Sequence, residues 1–340
     1  MSTRQTKKWF AGLLIFGMLV SVFLTGCAPA AEPQNEDGPF DVAVIVKATD
    51  SDFWQSMIIG AENAGKENPD KVTVTTYGPP SEADIDEQVS ILEDVIAKKP
   101  DAIVIASTSS EATVPAIERA YEQGIIIITV DNRVKTDNVH SFLATDNLKG
   151  GGSAAEQLVE NLEAAGMPLE GKVGIISAMA GVQVLIDRDG GFTSRLAELA
   201  PNLELIETRH VDNDMTRAVA AAEDIITANP DLVGIFANNN MTGNGVARVI
   251  AERNLQDRIM LVGYDSDPEQ VAALRDGVVR ALIVQDPFGM GYRGVMYAYD
   301  AIRGTDLADF IDTGAVVVTS ANVDDEDIQG LLDPTLKRIE

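Results

Sequence analysis

Short apolar runs recur along this chain at nearly even intervals, and a stretch of helical periodicity follows almost every one. The first case is Asp41–Met57, DVAVIVKATDSDFWQSM, where Val42, Val44, Ile45 and Val46 read as a buried strand, Lys47 to Asp52 as a polar turn, and Phe53 and Trp54 as the opening of a helix. Val72–Thr76, Ala102–Ala106 and Ile125–Val130 repeat the strand; Ile85, Val89, Leu92, Val95 and Ile96 recur at helical spacing, and Ala112–Tyr121 supplies a further helix. Wholly apolar strands alternating with amphipathic helices predict a parallel sheet covered on both faces. The pattern then restarts. Gly150–Gly166 reads as a helix, Val173–Ser177 as a strand, Gly191–Leu199 as part of a helix, and Leu203–Thr208 as a strand. Helices at Thr216–Ala228, Thr242–Arg253, Glu269–Arg275 and Gly289–Ile302 alternate with strands at Leu232–Ala237, Ile259–Val262, Ala281–Val284 and Ala315–Thr319, before an acidic tail. Two α/β units in tandem are the expectation.

The first residues stand apart. Arg4, Lys7 and Lys8 precede an apolar run, Phe10 to Leu24, that ends in Leu24-Thr25-Gly26-Cys27. A basic start, a short apolar segment and small residues before a cysteine make a signal-peptide pattern, too short for a comfortable membrane span. It resembles the bacterial lipobox, so residues 1–26 are expected to be a signal and Cys27 the lipidated residue. Residues 28–40 are rich in Pro, Ala and acids, and 27–40 reads as a flexible tether. The roughly 300 residues that remain exceed the size at which one core keeps growing.

Composition excludes several classes. The formal charge is −27 and the signal carries only cations, so the rest is more acidic still. Such a surface repels nucleic acid. Cys27 is the only cysteine, which rules out an intramolecular disulfide and a thiolate metal cluster. His140 and His210 are the only histidines and read as ordinary loop or surface residues, so no metal and no cofactor is expected.

Open α/β sheets bind ligands where strands end and helices begin, and polar residues gather at those positions here. Lys47, Asp50 and Ser51 follow the first strand, beside Phe53 and Trp54. Aromatic rings can lie against the C–H face of a sugar, although the same two residues could simply pin the first helix. Ser107–Ser110, Asp131 and Asn132, Thr145 to Asn147, Met179 with Arg188 nearby, Asn238 to Asn240, Asp265 and Gln285 sit at later strand ends. Each alone fits a turn or a helix cap. Together, carboxylate, amide and guanidinium groups suit paired hydroxyls in a cleft. Enzymatic motifs are missing: there is no P-loop, no G-x-S-x-G and no H-E-x-x-H. Gly289-Met290-Gly291-Tyr292-Arg293-Gly294 fits G-x-G-x-x-G, but it lies near the C-terminus behind Asp286-Pro287. A dinucleotide site needs that motif to open a local βαβ unit. Glycines easing a helix past a neighbouring strand explain it better than a secreted NAD-dependent enzyme does.

The segments VKATDSDFW, IIIITVDN, ATDNLKGG, DRDGGF, PDLVGIFANNN, LVGYDSDPE, and VQDPFGMGYRG followed by IDTGAVVVT resemble the periplasmic sugar-binding proteins of ABC importers, in the ribose-binding branch. The resemblance runs from about Asp41 to Pro334. It implies two Rossmann-like lobes with parallel sheets joined by a three-crossover hinge, the first lobe holding 41–145 and about 286–312, the second 146–285 and about 313–340. It also implies a monomer that captures a monosaccharide or polyol between the lobes and delivers it to a membrane permease. The aromatic platform falls on Phe53 and Trp54, hydroxyl acceptance on Asp131, the second-lobe guanidinium on Arg188, and further polar contacts on Asn239, Asp265 and Gln285, with Met179 lining the pocket. Asn132 stands where ribose binders carry Arg, Ala106 replaces an Asn, Asn213 replaces a stacking aromatic, and Lys47 replaces a small residue. The fold inference survives these departures; the identity of the sugar does not. A sugar-responsive repressor would need an N-terminal DNA-binding segment in place of the signal. A receptor for a signal such as autoinducer-2, whose binding proteins carry a lysine at the place of Lys47, is the alternative.

Overall fold

The computed structural model describes residues 38–339. The expected lipidation at Cys27, the signal and most of the tether lie outside that range. The chain begins β1 (Phe40–Ile45), α1 (Asp52–Glu67), β2 (Val72–Tyr77), α2 (Ile85–Ala97), β3 (Ala102–Ile105), α3 (Val114–Glu122), β4 (Ile126–Val130) and β5 (Ser141–Ala144). It continues with α4 (Asn147–Ala164), β6 (Gly171–Ser177), α5 (Gln183–Leu199), β7 (Leu203–Leu205), β8 (Arg209–His210), α6 (Met215–Ala228), β9 (Leu232–Ala237), α7 (Asn240–Glu252), β10 (Met260–Tyr264), α8 (Pro268–Arg275) and β11 (Ala281–Gln285). Last come α9 (Pro287–Ile302), β12 (Phe310–Asp312), β13 (Ala315–Val318), α10 (Glu326–Leu332) and a 3₁₀ turn over Pro334–Lys337.

Two sheets result. The first has the order β12-β5-β4-β3-β1-β2, the second β13-β11-β10-β9-β6-β7 with β8 also on β6. All pairs are parallel except β11 with β13. Alternation along β1 shows why its run is wholly apolar. Val42, Val44 and Val46 enter the core under α1 and α9, while Ala43 and Ile45 enter the core under α2 and α3. Successive side chains of a strand point to opposite faces, and burying each Val or Ile stabilises by about 1.5–3 kcal/mol.

Three differences from the sequence reading stand out. Phe40 belongs to β1 rather than to the tether, since its ring is buried near Tyr299 and its N–H donates to Lys71 O at 2.8 Å. β5 and β12 are strands that the periodicity did not reveal. The acidic tail is ordered and touches both lobes. Ile328, Leu331 and Leu332 pack on the second-lobe core, whereas Asn63 of α1 donates from Nδ2 to Lys337 O at 2.6 Å and accepts from Ile339 N at 3.1 Å. The end of the tail therefore sits on the first lobe, not on the second.

The chain crosses between the sheets at β5–α4, at β11–α9 and at β12–β13, and the three crossings are knitted together. Thr145 Oγ1 donates to Gly314 O at 3.1 Å, Asp146 N to Asp312 Oδ1 at 3.1 Å, and Arg293 Nη2 to Thr313 O at 3.3 Å. The guanidinium of Arg293 also faces Asp286 at 3.8 Å. The glycine motif belongs to this frame. A methyl on Gly291 would land on the backbone of α1 at Met57, and one on Gly294 would press on Val104 of β3. These glycines let α9 approach a helix as well as a strand.

Candidate functional site

The C-terminal ends of both sheets face a cleft of about 230 Å³. Of the residues singled out from the sequence, Lys47, Ser51, Phe53, Trp54, Asp131, Met179, Arg188, Asn213, Asn239, Asp265 and Gln285 line it. Three do not. Asp50 is exposed on the turn beside it. Asn132 and Thr145 line a neighbouring cavity behind the crossings. Asn132 Nδ2 donates to Ser107 O at 3.2 Å, so that amide braces the rim instead of facing the cleft.

Two carboxylates anchor the geometry. Asp131 ends β4 and Asp265 ends β10, both with left-handed backbones, φ 62° and 67°. Each backbone N–H donates at 2.8 Å to a carbonyl of the adjacent strand, Leu143 O for one and Ile283 O for the other. Asp tolerates this strained turn better than most residues, and the turn aims a side chain off the sheet edge.

In the first lobe Lys47 Nζ donates to Asp131 Oδ2 at 2.6 Å, and both side chains are buried. The ammonium lies 5.4 Å from the Trp54 ring centroid. Trp54 packs edge-on to Phe53 with centroids 4.7 Å apart and is itself only 3% exposed. Gln88 fixes this rim from below. Its Nε2 donates to Val46 O at 3.0 Å and Ala106 O at 2.8 Å, and its Oε1 accepts from Thr108 N at 2.8 Å.

Arg188 projects from α5 in the second lobe. Its Nε donates to Asn147 Oδ1 at 2.8 Å and Nη1 to Asn238 O at 2.9 Å; the guanidinium lies 3.8 Å from the Tyr264 ring centroid, with Nη1 3.7 Å from Asp265 Oδ2. Burial raises the Asp265 carboxyl above the usual carboxylate range, and Arg188 only partly offsets this. Burial likewise pushes the Tyr264 hydroxyl up to about 12, so it stays a neutral donor. Gln285 Nε2 donates to Asp265 Oδ1 at 2.6 Å, while its Oε1 is buried with no hydrogen-bond partner. That orphan acceptor at the cleft wall suits a ligand hydroxyl. Asn239 caps α7 by accepting from Thr242 N at 3.0 Å and donates to Asn213 Oδ1 at 2.7 Å, which commits much of its amide to the protein.

Sequence reasoning noted Thr108 and Asn240 at strand ends without assigning them to the ligand, and it missed Glu82 and the aliphatic wall of Val182, Val184 and Leu185, all on the cleft. Glu82 lies after β2, a strand end like the others, and that position was the available signal. Among the described residues no cluster of His, Cys, Asp and Glu could hold a metal ion, and no helix is long and apolar enough to cross a membrane.

A family model described as a periplasmic binding protein domain matches residues 42–306. The chain belongs to the periplasmic binding proteins. Among curated members of the family, the D-allose-binding periplasmic protein of Escherichia coli is 29% identical over 301 residues, covering 86% of this chain and 90% of that protein. The ribose import binding protein RbsB of Bacillus subtilis is 26% identical, covering 84% and 92%. Among solved periplasmic binding proteins, a carbohydrate transporter solute-binding protein from Agrobacterium radiobacter in complex with D-arabinose superposes with a TM-score of 0.82 at 36% identity, over 87% of this chain and 99% of that one. An ABC transporter solute-binding protein from Agrobacterium vitis with bound D-fucose gives 0.79 at 32%, over 86% and 100%.

Proposed function

We propose that this protein is the sugar-capturing component of an ABC importer, exported and held at the membrane by a lipid on Cys27. The observation that carries the reading is the convergence of Lys47, Asp131, Arg188 and Asp265, from two lobes, beside the aromatic pair on one small cleft. Its volume of about 230 Å³ falls below the roughly 300–1,000 Å³ of drug-sized sites, which suits a monosaccharide or a polyol. Sugar-binding relatives that align over most of the chain support the same class. Capture follows from population shift: a ligand that contacts both lobes stabilises the closed arrangement over the open one.

The cation at Lys47 keeps a sugar-like signal such as autoinducer-2 as the second reading. Its pairing with Asp131 leaves the ammonium neutralised and favours an uncharged ligand. A thermal-shift screen of D-allose, D-ribose, D-arabinose, D-fucose, polyols and uronic acids, followed by calorimetry, tests the proposal. A sugar present at a hundredfold over its Kd should stabilise the fold by about 2.7 kcal/mol. A flat response to every sugar and polyol would sink the reading. The anchor is tested separately: Cys27→Ala should abolish lipid labelling and release the protein from the membrane fraction. Equal retention of both forms without lipid would refute it.

A further inference from the structure

The loop between β2 and α2 brings a third carboxyl to the cleft. Glu82 accepts from Trp54 Nε1 at 2.6 Å through Oε1, and among the described residues its Oε2 accepts no hydrogen bond and no cation pairs with it. Lys47, the nearest candidate, is held by Asp131. Asp265 is opposite Arg188. The cleft therefore holds three carboxyl groups against two cations, and the surplus one stands next to the aromatic platform. A carboxyl in such surroundings gains most from a donor that enters with the ligand.

We propose that Glu82 is a specificity-determining residue that reads a hydroxyl or amine at the edge of the ligand beside Trp54 and rejects sugar acids. The proposal rests on the sugar-binding reading above. Burial raises the Glu82 carboxyl, with Lys47 opposing, which agrees with a group short of partners until a ligand arrives. Glu82 has two jobs that chemistry can separate. Oε1 orients the indole, and any side chain with an acceptor can do that. Oε2 meets the ligand, and its contribution depends on one particular donor of the ligand.

The experiment takes whichever of D-allose, D-ribose, D-arabinose and D-fucose binds the wild type tightest, with its monodeoxy analogues and its sugar acid. Calorimetry compares wild type, Glu82→Ala and Glu82→Gln, and melting curves confirm that both variants fold. Glu82→Gln keeps an acceptor for Trp54 Nε1, so it guards against simple collapse of the platform. Glu82→Ala should lose about tenfold to a hundredfold in affinity for the parent sugar. For one deoxy analogue, the one lacking the hydroxyl that Glu82 reads, wild type and Glu82→Ala should agree within about twofold. Glu82→Gln should bind the sugar acid several-fold tighter than wild type does. A uniform loss across all analogues, restored by Glu82→Gln, would show that Glu82 only positions Trp54 and would overturn the proposal. Indifference of both variants to the parent sugar, or of Glu82→Gln to the sugar acid, would overturn it too. If the wild type binds no sugar of the panel, the sugar reading fails and the role of Glu82 fails with it.

Discussion

The two lobes place an aspartate at the same point, after the fourth principal strand, on the same left-handed turn, yet they surround it differently. In the first lobe Asp131 meets a flexible, compact ammonium at 2.6 Å. In the second, Asp265 faces a planar guanidinium at 3.7 Å that Asn147, Asn238 and Tyr264 hold in place. Lysine is a point charge on a long stem, whereas arginine is a rigid fork. The first lobe thus carries a closed ion pair that a ligand must share, and the second carries a preset frame with an orphan acceptor, Gln285 Oε1, beside it. The walls differ too, aromatic from Phe53 and Trp54 on one side, aliphatic from Val184 and Leu185 on the other. One lobe is built to adapt and the other to orient.

The largest effect expected from that contrast is on stability. Arg188→Ala should cost about 3–5 kcal/mol, because it strands a buried carboxylate and leaves Asn147 Oδ1 and Asn238 O without their donor. Arg188→Lys should not restore it. Lys47→Met also strands a buried carboxylate, Asp131, but should cost less, since Lys47 makes one hydrogen bond where Arg188 makes two. Denaturant titration of the three variants checks the order, and a costlier Lys47→Met would break the contrast. Next comes affinity. Asp131→Ala and Asp265→Ala should each weaken the sugar found by screening by about 1.5–3 kcal/mol, with Asp265→Ala the more severe because its frame does not readjust. Calorimetry that finds either variant equal to wild type would remove that residue from the site.

A third prediction concerns pH. Burial raises Asp189, Asp265 and Asp267 in the second lobe and Glu82 in the first. Burial of His140 in the first lobe lowers its pKa and works the other way. A raised carboxyl keeps a proton in the folded state that the unfolded chain has released. Its stabilisation is complete below the ordinary carboxylate range and is lost as pH rises through the raised value. The melting temperature of the ligand-free protein should therefore fall from mildly acidic to neutral pH. Asp267→Asn and Glu82→Gln should each flatten the profile, since each removes a carboxyl that burial raises. A profile as steep as that of the wild type in either variant would remove that group from the pH response.

The smallest effect is optical. Trp54 is the only tryptophan among the described residues, is already buried, and already donates to Glu82. Sugar binding should change its emission intensity modestly with little shift in wavelength, saturating at the calorimetric midpoint. Trp54→Phe keeps a ring and should silence the signal at little cost in affinity. A large shift would mean that the first-lobe wall moves far more than a buried indole allows.

Strand runs and rim acids were legible in the sequence because a covered parallel strand is apolar throughout and stops abruptly at a polar turn. Asp131 and Asp265 are such stops. Asn132 misled because the chain turns at Asp131, where φ is 62°, and the next amide is carried behind the rim to Ser107 O. Thr145 follows a strand end as well, but that strand leads into a crossing, and its hydroxyl holds Gly314. β5 (SFLA) and β12 (FID) carry only a few apolar residues between polar ones, so no apolar run registers there. Glu82 escaped for another reason: it lies five residues past its strand, beyond Pro79 and Pro80, and only the folded loop brings it to the indole.

The three crossings also set the order in which a growing chain can finish its parts. The second sheet takes all but one of its strands from the unbroken stretch 171–285. The first must wait, because α9 covers α1 and β12 extends β5 only after residues 287–312 exist. Contacts spanning so much sequence form slowly. During synthesis the N-terminal half should therefore linger with one helix face bare, and the second-lobe core, which waits for Val318, Val323 and the tail, closes later still.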